Sequence, residues 1–299
     1  MATSPTYLLV DTSYVIFYRY YAICQWHKKA YPEDDLKTVE DILSKKTFMD
    51  KYDQTFFTSL DKIVKLYGIK DFRCVVFMRD CPSANIWRRA LYSEYKSNRD
   101  YTNFNGKSIF AHTYDNLLPQ WVAKGATVVR FDTLEADDIG AIIAKEYTKR
   151  QGEDVSSFQK ELVIVTNDND YLQLRKYATV ELVNLKGEYL AERSRGSPEL
   201  DLKCKIFLGD PSDNIPKVFP RCGEKTLLKL LEDPARLDSE FCKHADSRSQ
   251  YELNVKLVDF DSIPEELYQS VVAWMEGNFF KQHFFQKHFF QKHFFQKKV

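Results

Sequence analysis

The chain has no apolar stretch near the roughly 20 residues that a membrane-spanning helix needs. Its first residues, MATSPTYLLVDTS, lack the basic segment and long apolar core of a secretory signal, so an intracellular protein is expected. The six cysteines, at 24, 74, 81, 204, 222 and 242, include no CxxC pair. Reduced thiols are the plain reading. Six histidines, three of them in a C-terminal repeat, offer no zinc-ligand spacing. Net charge is also lacking, because Lys+Arg 43 balance Asp+Glu 43. That excludes a uniformly basic nucleic-acid coat but leaves room for a basic face opposite an acidic pocket. What remains is an ordinary globular composition, 44% hydrophobic and 29% charged over 299 residues. It suits one large domain, or a domain with an appended module.

Short apolar runs alternate with helical patterns. Tyr7-Leu8-Leu9-Val10 stops at Asp11, and Cys74-Val75-Val76-Phe77-Met78 stops near Asp80. Thr127-Val128-Val129-Arg130-Phe131 leads to Glu135-Ala-Asp137-Asp138, and Leu162-Val163-Ile164-Val165 leads to Asp168. Runs of this length and composition read as strands buried on both faces. Helices are expected over about 53–67, 84–96, 109–124 and 136–150. The alternation predicts an α/β fold with a mostly parallel twisted sheet flanked by helices.

Ligands of such sheets bind at the carboxyl ends of the strands. A lone Asp after a strand is ordinarily a helix N-cap or turn residue. Four strands each delivering a carboxylate to one sheet edge exceed that role. With Asp170, Asp210 and Asp213 the acidic set is Asp11, Asp80, Glu135, Asp137, Asp138, Asp168, Asp170, Asp210 and Asp213. Two like charges about 4 Å apart repel by roughly 4 kcal/mol at an effective dielectric near 20. Such a set calls for cations, and all-oxygen ligands select Mg²⁺ or Mn²⁺ over zinc. An EF-hand is a poor match, since Leu172 and Gln173 stand where its loop glycine belongs. Two divalent ions about 3.5–4 Å apart are the machinery of in-line phosphodiester hydrolysis.

A counterpart lies in Trp87-Arg88-Arg89-Ala-Leu-Tyr92-Ser-Glu-Tyr95-Lys96-Ser-Asn-Arg99. If this segment is helical, Arg88, Tyr92, Tyr95, Lys96 and Arg99 share one face of cations and rings. Such a face neutralises phosphates and stacks on bases.

With these residues assembled, the chain resembles the 5′-nuclease family. That family comprises the 5′→3′ exonuclease domain of bacterial DNA polymerase I, phage 5′ exonucleases and flap endonucleases. The matching segments, in the family's order, are Val10-Asp11-Thr-Ser, Tyr95-Lys96-Ser-Asn-Arg99 and Glu135-Ala-Asp137-Asp138. Thr166-Asn-Asp168-Asn-Asp170-Tyr-Leu-Gln173-Leu174 and Gly209-Asp210-Pro-Ser-Asp213-Asn214-Ile-Pro216 follow. Together they span roughly residues 6–235.

The resemblance implies a PIN-like nuclease domain over 1–198, with a helical arch at about 84–125 bridging the site. It implies a helix-hairpin-type DNA-binding module over 199–278, ahead of a low-complexity HFFQK tail at 279–299. Asp11, Asp80, Glu135 and Asp137 would hold a first Mg²⁺, for which Mn²⁺ substitutes, and Asp168, Asp170 and Asp213 a second. Asp138 and Asp210 would support the cluster directly or through water. Lys96 would contact the scissile phosphate with Arg99 as helper, and Tyr95 would stack on a terminal base. Arg88, Arg89 and Tyr92 would flank them on the DNA.

The hairpin departs from the Gly-rich pattern of close relatives. Here Lys217, Arg221, Gly223, Lys225 and Thr226 stand at the duplex-binding positions, with Gly223 as the permissive backbone point and the lysines and Arg221 as electrostatic compensation. A K⁺ ion at that hairpin, known among relatives, is left open. Gln282, Phe285, His288 and Phe289 loosely match the sliding-clamp motif of eukaryotic relatives, and a chance match inside the repeat is the plainer reading. Residues 27–60 match no family segment.

The expected activity is metal-dependent hydrolysis of DNA with a free 5′ end or flap, by a monomer, in replication, repair or recombination. A sliding clamp or a polymerase is a candidate partner. The alternatives are a PIN-type ribonuclease and a non-catalytic junction-binding relative.

Overall fold

The computed structural model describes residues 5–34, 39–99, 106–151 and 161–280. Five strands form one parallel sheet in the order β3-β2-β1-β4-β5. They are β1 Tyr7–Asp11, β2 Val75–Met78, β3 Thr127–Val129, β4 Leu162–Val165 and β5 Val180–Val183. Four of them fall on the apolar runs. β5 was not expected, because its Glu181 interrupts the run; that carboxylate accepts a hydrogen bond from Tyr67.

Alternation along the strands splits the core between the two sheet faces. Leu9, Val76, Met78, Val129, Ile164 and Leu182 share one apolar cluster with the long helix that follows the third strand and with the last helix of the fold. Leu8, Val10, Val75, Phe77, Val163, Val165 and Val183 share the other. Against this second face pack α1 Thr12–Ala30, α3 Lys46–Leu66 and, later in the chain, α6 Leu118–Ala123. The short α2 Val39–Ser44 precedes α3.

Two expected helices are broken, each for a local reason. The segment 84–96 yields only α4 Arg88–Leu91 and then turns. Lys96 there takes φ +56, which no helix allows. The segment 109–124 runs as α5 Lys107–His112, a π-helical turn Thr113–Leu117 and then α6. Pro119 has no N–H to continue the ladder and its ring crowds the preceding turn, which the wider π turn accommodates. The apex of the expected arch, 100–105, lies outside the described residues, as does the tail 281–299 with Gln282, Phe285, His288 and Phe289.

α7 Ala136–Gln151 presents Ala136, Ile139, Gly140, Ile143 and Ala144 to the sheet. Gly140 permits the closest approach, since a Cβ there would lie 3.1 Å from Tyr171 and 3.2 Å from Met78. After β5 come α8 Pro198–Leu208, α9 Glu224–Leu231, α10 Pro234–Lys243 and α11 Ser247–Val258. Cys204, Phe207, Val218, Phe219, Cys222, Leu227 and Leu230 make a core of their own there. Buried Asn254 locks α11 to it, donating to the carbonyls of Ile206 at 2.7 Å and Pro216 at 2.8 Å. The expected module does not keep all of 199–278 to itself. α12 Glu265–Met275 returns to α7, and its Val271 and Met275 join the sheet core.

Candidate metal centre

Strand order reverses between β1 and β4, so the crevice beyond their carboxyl ends is the natural ligand site. Asp11 ends β1 and caps α1, its Oδ1 accepting from the Tyr14 N–H at 3.0 Å. Its Oδ2 accepts from Thr166 just after β4, also at 3.0 Å. Asp80, beyond β2, accepts from the Ala136 N–H at 2.8 Å and from the Ser13 hydroxyl. Glu135 and Asp137 open α7 on the same edge. For Asp11 a cap role and a place at the sheet edge are therefore compatible. A carboxylate has lone pairs enough for a cap and for a ligand.

Asp168 caps a 3₁₀ helix, Asn169–Lys176, and accepts from the Asp170 N–H at 2.9 Å. Asp210 and Asp213 arrive on the loop after α8. Gly209 takes φ +66 there, and a Cβ on it would sit 2.3 Å from the Ile215 carbonyl oxygen, so only glycine fits. Asn214, at φ +59, donates from its amide to the Glu94 carbonyl at 2.9 Å and the Ser97 hydroxyl at 3.1 Å. Lys96 N–H donates to the Asp213 carbonyl at 2.9 Å. This lattice bends the segment 92–98 away from the helix that its spacing predicts.

Seven of the nine expected acids line one cavity of about 1580 Å³: Asp11, Asp80, Glu135, Asp137, Asp168, Asp170 and Asp210. Asp213 stands beside it, with a carboxylate oxygen within 4.8 Å of those of Asp170 and Asp210. Asp138 also offers an oxygen within 4.8 Å of Glu135 and Asp137, yet it is turned away from the cavity. It is fully buried and receives Arg88 at 2.7 and 2.9 Å, Trp87 at 3.0 Å and the Glu135 N–H at 3.1 Å. Three of these donors fall on Oδ2 and one on Oδ1, and the salt bridge to Arg88 ties Asp138 to Glu135 in the cluster.

Electrostatics separate the carboxylates. Burial drives Asp11 up to about 7, with Asp80 and Asp168 adding repulsion. Burial also raises Asp80, Asp137 and Asp168, the last against the pull of Lys205 and Lys96. Glu135 goes the other way: although burial opposes it, Lys96 and Arg88 hold it down to about 2. Asp210, opposed likewise by burial, is held to about 2 by Lys205. Crowded, desolvated carboxylates with hard oxygen donors fit divalent cations, and the ammonium groups balance only part of their charge.

The cation-and-ring face expected over 88–99 does not form. Arg88 is 2% exposed, donating to Glu135, Asp138 and the Leu257 carbonyl, so it cannot reach a phosphate. Tyr95 is equally buried, its hydroxyl on Glu135 at 3.1 Å and Asp213 at 3.2 Å, so it cannot stack on a base. Lys96 bonds Glu135, and Arg99 bonds Asp213 at 2.7 Å. Arg89, Lys96 and Arg99 do line the cavity, and Tyr92 is half-buried.

Several cavity residues were missed. Arg79, whose guanidinium lies 3.4 Å from the centre of the Tyr114 ring, lines the wall with Arg130 and Lys107. Lys205 bonds both Asp170 and Asp210. Tyr171 forms part of the floor, and burial followed by Asp11 and Asp137 pushes its phenol well above the ordinary value. Adjacency to Asp80 was the available signal for Arg79 and adjacency to Asp170 that for Tyr171. Lys205 had none, since a lysine near a helix end is commonplace.

The hairpin positions Lys217, Arg221, Gly223, Lys225 and Thr226 are all exposed. The left-handed backbone point, however, is Arg221 at φ +58, while Gly223 at φ −99 adopts a conformation open to any residue. Lys217 closes the loop by donating to the Cys222 carbonyl at 3.0 Å.

The chain is similar to known proteins in family and in fold. The family described as "5'-3' exonuclease, N-terminal resolvase-like domain" matches residues 6–197. Ribonuclease H of Enterobacteria phage T4 is 26% identical, covering 67% of this chain and 68% of that protein. A 5'-3' exonuclease of Halalkalibacterium halodurans is 26% identical over 66% of this chain and 63% of its own length. DNA polymerase I of Streptococcus pneumoniae serotype 4 is 29% identical over 51% of this chain, but the match spans only 17% of that enzyme. Among solved structures, phage T5 5'-exonuclease with bound divalent (zinc) ions superposes with a TM-score of 0.58 at 14% identity, covering 91% of this chain and 99% of that one. A phage T5 flap endonuclease in a pseudo-enzyme-product complex with DNA and metal ions gives a TM-score of 0.58 at 14% identity, covering 91% and 98%. At that identity the likeness is one of fold.

Proposed function

The chain belongs to the 5′-3′ exonuclease family, and from that premise we propose that it hydrolyses DNA phosphodiester bonds near a free 5′ end or flap, using two Mg²⁺ ions. The observation that carries this reading is the convergence of seven carboxylates, from separate stretches of chain, on a single cavity walled by Arg79, Arg89, Lys96, Arg99 and Arg130. Asp11, Asp80, Glu135 and Asp137 would hold one ion, and Asp168, Asp170, Asp210 and Asp213 the other. Such ions supply Lewis-acid polarisation of the phosphate and lower the pKa of a nucleophilic water.

The protein's own groups do the rest. Lys96 and Arg99 stand beside Glu135 and Asp213, and with those carboxylates holding ions they would present their charge to the scissile phosphate. Arg79, Arg89, Arg130 and Lys107 bind backbone phosphates along the wall. Ile86, Phe110 and Tyr114, from the described flanks of the arch, narrow the approach to one strand and favour substrates with a free end. Lys217, Arg221, Lys225 and Thr226 reach the duplex arm from the neighbouring module. A K⁺ ion there and a clamp or polymerase partner stay subordinate proposals.

The test is product length on a 5′-labelled flap during Mg²⁺ titration. Metal-dependent cleavage near the branch, abolished by Asp168→Asn, is expected; no cleavage of any 5′-ended DNA with Mg²⁺ or Mn²⁺ overturns the reading. Because the T4 relative bears the name ribonuclease H, a matched RNA flap is the necessary second substrate. Faster cutting of RNA than DNA would favour the ribonuclease alternative.

A further inference from the structure

Tyr171 follows Asp168 and Asp170 in the chain, and its ring is packed against α7. Gly140 of α7 packs so close that a Cβ there would lie 3.1 Å from the Tyr171 ring, and Phe260 meets the ring edge-on at 6.4 Å between centroids. The residue is 0% exposed and forms part of the cavity floor. Its hydroxyl has no hydrogen-bond partner among the described residues. A buried hydroxyl without a partner has lost its hydration and gained nothing in return.

The neighbours make that more pointed. The charges the phenol feels are Asp11, Asp137, Asp80 and Asp168, all acceptors. Each already receives a donor from elsewhere. Tyr14 N–H and Thr166 serve Asp11; Ala136 N–H and Ser13 serve Asp80. Asp138 N–H serves Asp137 and Asp170 N–H serves Asp168. The phenol is therefore a buried donor in the lining of the cavity that these four carboxylates also line, bonded to none of them.

We propose that the Tyr171 Oη–H donates a hydrogen bond to a water in the coordination shell of the divalent cation held by Asp11, Asp80 and Asp137. Tyr171 is then a positioning residue: it acts on the ion through that water and orients it toward the substrate side of the cavity. The inference rests on the two-ion reading of the site.

The test uses the full chain without DNA. Mg²⁺ binding is measured by calorimetry, alongside the near-UV tyrosine difference spectrum on adding Mg²⁺, for wild type and Tyr171→Phe. Phenylalanine keeps the ring and removes only the oxygen. In chelator, Tyr171→Phe is expected to melt at or above the wild-type temperature, because the unpaired hydroxyl is gone. With Mg²⁺ the order reverses, the dissociation constant of the ion rises about threefold to tenfold, and the variant loses part of the tyrosine difference signal. In the cleavage assay kcat falls while the KM for DNA stays within about twofold. A purely structural role would lower the melting temperature in chelator too, and would overturn the proposal. Identical Mg²⁺ binding and an identical difference spectrum would overturn it while leaving the metal site intact. A wild-type chain that binds no Mg²⁺ would remove the two-ion reading and this inference together.

Discussion

The Nζ of Lys205 lies 2.8 Å from Asp210 Oδ2 and also bonds Asp170, so an ammonium sits inside the acidic group that reaches Asp213. It neutralises charge that a divalent ion would otherwise neutralise. Lys205→Met should therefore destabilise the metal-free chain at pH 8 and tighten Mg²⁺ at this group by about tenfold, roughly 1.4 kcal/mol. Melting in chelator and calorimetric titration check both halves. Weaker Mg²⁺ binding would mean that the lysine assists the ion.

Asp11→Asn separates a structural role from a chemical one. Asparagine caps a helix as well as aspartate does, so the bond from the Tyr14 N–H survives. The free energy of unfolding in urea should stay within about 0.5 kcal/mol of wild type, or rise in the absence of metal. Cleavage should fall by about 100-fold or more, the scale of losing one preorganised electrostatic group.

Arg88 and Arg99 predict opposite phenotypes. Removing the buried Arg88 guanidinium strands Asp138 and Glu135, and Arg88→Met should cost about 3–5 kcal/mol in urea unfolding. Arg99, with its side chain 41% exposed, should leave stability unchanged on Arg99→Ala and lower cleavage instead. Equal destabilisation by the two would refute this division.

Asp11 makes the metal-free chain sensitive to pH. Its folded value of about 7 lies above the unfolded carboxylate value, so the folded state holds an extra proton between roughly pH 4 and 7. That stability is complete below pH 4 and is lost as pH rises through 7, by up to about 4 kcal/mol for the one group. Burial of Asp80, Asp137 and Asp168 acts in the same direction. Glu135 and Asp210, held to about 2, oppose it only in acid below about pH 4. Melting temperature in chelator should drop from pH 5 to pH 8, and Mg²⁺ should flatten the drop. A flat profile in chelator would show that the cluster is not desolvated.

The amino-acid sequence by itself determined the parallel sheet, because four strands are contiguous apolar runs and each is followed within a few residues by a carboxylate, or ends in one. It determined the order of the acidic motifs and most of the cavity's carboxylates for the same reason: strand ends are local features, and a sheet gathers them on one edge. Tertiary structure alone decided which charged side chains face the cavity. Arg88 was indistinguishable from Arg89 until its guanidinium met the Leu257 carbonyl, 169 residues away. Asp138 beside Asp137, Lys205 between two acids, and the unpaired hydroxyl of Tyr171 were settled in the same way. Burial and hydrogen-bond saturation depend on partners distant in the chain, and no periodicity within a segment records them.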